Sequence, residues 1–163
     1  MTKQLQTKTH YRIRDPNNFY TEMHRDVSLL MDKQAYVSLT TVIVCGLDAL
    51  AAGDGSANRN KFEQFVMRHF PDLCKKLTKT CPGKVGAKLL YDKFRNGFAH
   101  LRGPKSGFAI AQDNELGGRW AERVKIGDSE PLVALNVDRF AREFLRLLNQ
   151  LNENAITKKI KKS

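Results

Sequence analysis

Arg95, Asn96 and His100 are the residues of this sequence whose types and spacing could do chemistry. An imidazole, with an ordinary pKa of about 6.5, can take or give a proton at neutral pH. A guanidinium is a permanent cation whose paired N–H donors match the oxygens of a phosphate. An amide can orient either group. The three together offer proton transfer and charge stabilisation at a phosphate without a metal.

A helix must carry them. Read at about 100° per residue, Leu90, Phe94, Phe98 and Leu101 fall on one apolar stripe, while Asp92, Asn96 and His100 follow one another at i, i+4 and i+8 on another face. Arg95 stands five residues before His100, about 140° around the helix, so its long side chain can bend toward the same opening. This motif helix is expected to run from about residue 84 to 101. The loop that follows must turn the chain at once, and its Arg102 and Lys105 place two more cations beside the imidazole, where they suit a phosphate backbone.

Arg95-Asn96 followed by His100 after three further residues resembles the RNxxxH signature of the HEPN superfamily, small helical proteins of which many are metal-independent ribonucleases. With 12 Arg, 4 His and 10 Asn in 163 residues, roughly 0.02 such triplets arise by chance, so the full triplet carries information. The resemblance spans residues 17–156. It implies a mainly α fold, an antiparallel helical bundle, and an endoribonuclease in which the RNA 2′-OH attacks the adjacent phosphate. Arg95 would then hold the phosphate, His100 act as acid or base, and Asn96 orient them. Arg102 and Lys105 would contact RNA. An acidic residue on an early helix often braces the motif arginine in such proteins, which points to Asp48, with Tyr91 as a second supporting residue. For Asp48, a solvent-edge carboxylate is the competing reading.

One imidazole leaves the acid–base pair incomplete. Members of the family often dimerise so that two motif helices share a cleft, so the resemblance implies a homodimer with a composite active site. RNA is the implied partner, and an antitoxin or other regulatory protein, in a toxin or phage-defence setting, the implied restraint. A reading of another class is a catalytically silent HEPN-like module that binds RNA or protein.

Composition agrees with nucleic acid as a partner. The chain carries 28 Lys and Arg against 17 Asp and Glu, a net charge of +11, and removing Lys158, Lys159, Lys161 and Lys162 still leaves +7. The four histidines are too dispersed for a zinc signature, and no glycine-rich phosphate loop is present, so no metal or cofactor is implied. Cys45, Cys74 and Cys81 are an odd set without CxxC spacing. They fit a reducing cytoplasm, with Cys45 in the core and a Cys74–Cys81 bridge as the lesser alternative. No apolar stretch follows the N-terminal charge, so no signal peptide is expected.

In chain order, residues 1–14 read as a basic arm and 15–156 as one domain. Asp15-Pro16 opens a helix to about Lys33, with Phe19, Met23, Val27 and Leu30 on its apolar face and His24 partly exposed. Residues 35–52 are the most apolar. A membrane span needs about 20 apolar residues, and Ser38, Thr40, Thr41 and Asp48 interrupt this run, so a central core helix is expected and no membrane partner. A loop at 53–58 precedes a short helix with Phe62, Phe65, Val66, a core His69 and Phe70, ended by Pro71. Residues 72–79 add one or two turns before Cys81-Pro82-Gly83 breaks the pattern. Short apolar segments at 108–111, 120–126 and 131–135 predict a small antiparallel hairpin or three-stranded insertion. Asn136 caps a last helix carrying Val137, Phe140, Phe144, Leu147, Leu148 and Leu151, and 157–163 reads as a basic disordered tail.

Overall fold

The computed structural model describes residues 16–160 apart from Arg102. Within them the chain is mainly helical, with a three-stranded sheet inserted before the last helix. Both features follow the sequence reading. The N-terminal arm, the capping Asp15, Arg102 and residues 161–163 lie outside the described residues.

Helices α1 (Pro16–Asp32) and α2 (Tyr36–Ala52) meet in a tight reversal. Gln34 adopts a left-handed φ of 52°. The Ala35 N–H then reaches the Leu30 carbonyl at 3.0 Å and the Gln34 N–H the Met31 carbonyl at 2.9 Å, which satisfies carbonyls the helix end would leave open. Helix α2 becomes the central element. Leu39, Ile43, Val44 and Leu47 are fully buried, against α1, α3 (Arg59–His69), the last helix and the motif helix. Its hydroxyls turn inward on their own helix: Thr40 and Thr41 each donate 2.8 Å bonds to the carbonyls of Tyr36 and Val37. No helix among the described residues is long and apolar enough to cross a membrane.

Asn58 starts α3 by accepting the Lys61 N–H at 3.0 Å, a helix cap that fixes where the 53–58 loop ends. Phe62 and Val66 are buried, whereas His69 is only half-buried and lies against the Phe65 ring, with centroids 4.4 Å apart. His69 is therefore a boundary residue rather than a core one. Burial, reinforced by the neighbouring Arg68 charge, lowers its pKa below the ordinary value. Helix α4 (Pro71–Thr80) is longer than the one or two turns expected, because Leu73, Cys74 and Leu77 give it a buried face of its own. All three cysteines are free thiols; Cys74 is buried.

Strands β1 (Phe108–Ala111), β2 (Ala121–Val124) and β3 (Leu132–Asn136) form a sheet in the order β1-β3-β2. The sheet is mixed, not antiparallel throughout: β1 runs parallel to β3, with Phe108 opposite Val133, and β2 antiparallel to it, with Ala121 opposite Leu135. Parallel pairing needs a long connection, and residues 112–131 provide it through α7 (Asp113–Leu116) and the left-handed Gly117 and Gly118. The central place goes to β3, whose Val133, Ala134 and Leu135 are buried.

Asn136 ties this sheet to the last helix, α8 (Val137–Ile160). Its Oδ1 accepts the Arg139 N–H at 2.9 Å, the cap predicted, and its Nδ2 donates to Asp113 Oδ1 at 2.7 Å and to the Arg119 carbonyl at 2.9 Å. The apolar face of α8 is Val137, Phe140, Phe144, Leu147 and Leu148, as the periodicity predicts. The helix continues to Ile160, past the residue 157 at which the sequence reading placed a disordered tail. Lysines and threonine can prolong a helix already nucleated by its packed turns.

The Asn136 hydrogen bond, with the Arg142 charge 3.2 Å away, holds the Asp113 carboxyl below its ordinary value of 3.8. A carboxylate depressed in the folded state contributes stability above its unfolded pKa and loses it as pH falls through the folded one. Urea midpoints measured from about pH 5 downward should therefore fall less steeply for Asp113→Asn than for the native protein. Parallel acid limbs would contradict this.

Candidate functional site

The motif helix is three pieces joined end to end: α5 (Gly86–Leu89), a π-helical turn (Leu90–Arg95) and α6 (Asn96–Leu101). In the wide turn the Asn96 N–H reaches back five residues to the Tyr91 carbonyl. The apolar spacing accounts for it. Leu90, Phe94 and Phe98 are four apart, and on a regular helix each such step drifts by about 40°. A wider turn rotates less per residue and returns all three to the core, where they are 0%, 0% and 3% exposed.

Arg95 ends that turn with its guanidinium held from three sides. Nη2 donates to Asp48 Oδ2 at 2.5 Å, Nη1 donates to Asn96 Oδ1 at 3.0 Å, and the Tyr91 ring lies 5.3 Å beneath the guanidinium carbon. The side chains of Arg95 and Asp48 are 21% and 14% exposed. Burial by itself would lower the arginine pKa, but the hydrogen bond and charge of Asp48 outweigh it and the pKa is raised. Asp48 is thus an ion-pair partner rather than a solvent-edge carboxylate. Its other oxygen, Oδ1, is buried without a protein partner among the described residues.

His100 stands apart. It is exposed, and it has no hydrogen-bond or ion-pair partner among the described residues. At about 100° per residue it and Arg95 occupy opposite shoulders of the helix's outer face, with Asn96 and the small, exposed Ala99 between them. Lys105 is half-buried, and its N–H donates to the Lys93 carbonyl at 2.9 Å, so the loop lies against the motif helix. The structure thus brings Arg95, Asn96, Asp48 and Tyr91 into contact and leaves His100 as a free imidazole on the same helix. Arg102 lies outside the described residues.

Arg59 and Glu63 are site neighbours that sequence reasoning missed. Arg59 Nε donates to Glu63 Oε1 at 2.5 Å, its Nη2 to Asp92 Oδ2 at 3.0 Å, and its guanidinium carbon lies 5.7 Å from the Tyr91 ring centroid. Tyr91 therefore faces two guanidiniums, and its ring packs edge-to-face with Phe62, the centroids 5.3 Å apart. The i, i+4 pairing of Arg59 with Glu63 was readable in the sequence; the reach to Asp92 was not. Cys45 was expected in the core and is instead exposed. It lies one turn before Asp48 on α2, on the face turned away from Ile43, Val44 and Leu47.

Chemically, the site offers a fixed cation and an exposed imidazole. Only two of the five Arg95 N–H donors are engaged by Asp48 and Asn96, so the remainder can bond an incoming oxyanion. Among the described residues no group of three or more His, Cys, Asp and Glu could hold a metal ion. No family model matches the chain, no curated protein matches it, and no solved structure matches it.

Proposed function

We propose that the protein is a metal-independent endoribonuclease of HEPN type. The observation that supports this best is the division of labour on one helix: a guanidinium held in place by Asp48, Asn96 and Tyr91 and, within five residues, an exposed imidazole with no competing partner. In the reaction the ribose 2′-oxygen bonds to the adjacent phosphorus as its proton leaves to a base. The bond from phosphorus to the 5′-oxygen then breaks, and that oxygen takes a proton from an acid. The products are a 2′,3′-cyclic phosphate and a 5′-hydroxyl. His100 serves one of the two proton transfers, and Arg95 bonds the phosphate oxygens on which negative charge builds. A second chain across a two-fold axis supplies the other imidazole. The three free thiols suit a reducing compartment.

Purified native protein should degrade RNA in EDTA, and His100→Ala should lose that activity by roughly 10²–10⁴-fold without a change in stability, since His100 bonds nothing in the fold. In mixtures with excess His100→Ala, activity should fall as the square of the native fraction if the site is shared. A linear fall would restrict the site to one chain.

A second reading has its own observation. The Arg95 charge is already neutralised by Asp48, which suits a silent RNA- or protein-binding module in which the motif serves structure. Tight RNA binding by a protein that never cleaves in EDTA or with added magnesium would favour it.

A further inference from the structure

A charge account of the site separates two kinds of cation. Arg59 is matched by Glu63 and Asp92, and Arg95 by Asp48; away from the motif, Arg119, Arg142 and Arg146 are matched by Glu122, Asp113 and Glu143. Lys93 and Lys105 have no carboxylate partner among the described residues, yet both are half-buried rather than free in solvent.

They are also held together. Gly97 lacks the Cβ that would run into the Gly103 carbonyl oxygen and lie 3.0 Å from the Lys105 nitrogen and from Pro104 Cα. The loop can therefore lie flat on the helix, where the Lys105 N–H bonds the Lys93 carbonyl at 2.9 Å and the Lys105 carbonyl accepts the Phe108 N–H at 3.2 Å. Lys93 extends over the Phe108 ring, with Nζ 5.5 Å from its centroid. Lys93, Gly97 and His100 are spaced i, i+4, i+7 and share one face of the helix. The Lys93 stem, laid along Phe108, loses less freedom when its ammonium group binds an anion, and the Lys105 backbone is already fixed beside it.

We propose that Lys93 and Lys105, rather than Arg95, supply the uncompensated charge that draws an RNA phosphate backbone to the His100 shoulder. The inference rests on RNA being the substrate. It assigns long-range attraction to the two lysines, and short-range bonding of the reacting phosphate to Arg95.

A fluorescent, single-stranded 2′-O-methyl oligoribonucleotide, which cannot be cut, serves as the probe in anisotropy titrations at several salt concentrations. Neutralising two phosphate contacts changes the slope of log K against log salt by about 1.4 for a single strand. Lys93→Gln/Lys105→Gln should lower the slope by that amount and, with affinities converging near ~1 M salt, weaken binding roughly 25-fold at ~0.1 M salt. Lys93→Arg/Lys105→Arg should retain both. Lys125→Gln should behave as native, because Lys125 is exposed beyond β2, on the far side of β3 from the strand that follows the loop. If the native protein binds the probe and the double glutamine variant keeps its slope, the inference is overturned while the nuclease reading stands. If the native protein binds but cuts no RNA, and the variant loses affinity as stated, the inference stands and the nuclease reading falls. Failure of the native protein to bind the probe at any salt overturns the inference.

Discussion

Replacing Arg95 by alanine should lower RNA cleavage by roughly 10²–10³-fold, the loss typical of removing one preorganised donor to a developing oxyanion. It should also destabilise the fold. The Asp48 carboxylate is 14% exposed, and its Oδ1 already lacks a protein partner, so losing the 2.5 Å bond to Oδ2 leaves an unpaired, largely buried charge. Breaking a fully buried pair costs about 3–5 kcal/mol and an exposed one about 0–1; this pair lies between, at about 1–3 kcal/mol. The two effects separate in a double-mutant cycle. Arg95→Ala/Asp48→Ala should recover part of the lost stability, because no orphan charge remains, and recover none of the cleavage. Urea unfolding and single-turnover cleavage of the four proteins measure both. Equal stability across the set would show that Asp48 does not depend on Arg95. Cleavage restored in the double variant would remove Arg95 from the phosphate.

The second large effect belongs to Gly97. An alanine Cβ there meets the Gly103 carbonyl oxygen, which is backbone and cannot rotate away, so the loop must lift off the motif helix. Forcing a methyl into such a contact costs about 1–3 kcal/mol, a fall in melting temperature of roughly 2–12 °C for a domain of this size. Lifting the loop also breaks the Lys105–Lys93 backbone bond and should weaken RNA binding along with stability. Gly103→Ala is the control: a Cβ there meets nothing within 4 Å, and its stability should stay within about 0.5 kcal/mol of native. A Gly97→Ala protein that melts with the native one would mean that the loop is not seated as described.

Much of this arrangement is legible in the amino-acid sequence. Helices α2 and α8 announced themselves because long apolar periodicity leaves few alternatives, and Asn136 because a capping side chain sits immediately before such a run. Asp48 came into view through the resemblance, as an acidic residue on an early helix that could brace the motif arginine. Other features depend on neighbours far along the chain. The shared apolar stripe of Leu90, Phe94 and Phe98 was legible, but the π-helical turn that takes up the drift of their spacing was not, because it depends on how closely the surrounding core holds all three. The parallel pairing of β1 with β3 depends on which strand takes the centre of the sheet, and short apolar segments carry no direction. Cys45 looked buried by composition, yet it lies on the face of α2 turned away from the core. The seating of Lys105 on Lys93 follows from a glycine whose neighbours are six and more residues away.

The proposed chemistry needs a 2′-hydroxyl, a proton acceptor and no metal. The most direct test is an oligodeoxynucleotide carrying a single ribose, incubated with native protein in EDTA, with the end groups of the products identified. The account predicts one cut, on the 3′ side of that ribose, leaving a 2′,3′-cyclic phosphate and a 5′-hydroxyl, and no cut when His100 is alanine or the ribose is 2′-O-methylated. Cleavage that requires added magnesium, that leaves a 5′-phosphate, or that proceeds equally on the all-deoxy strand would contradict it.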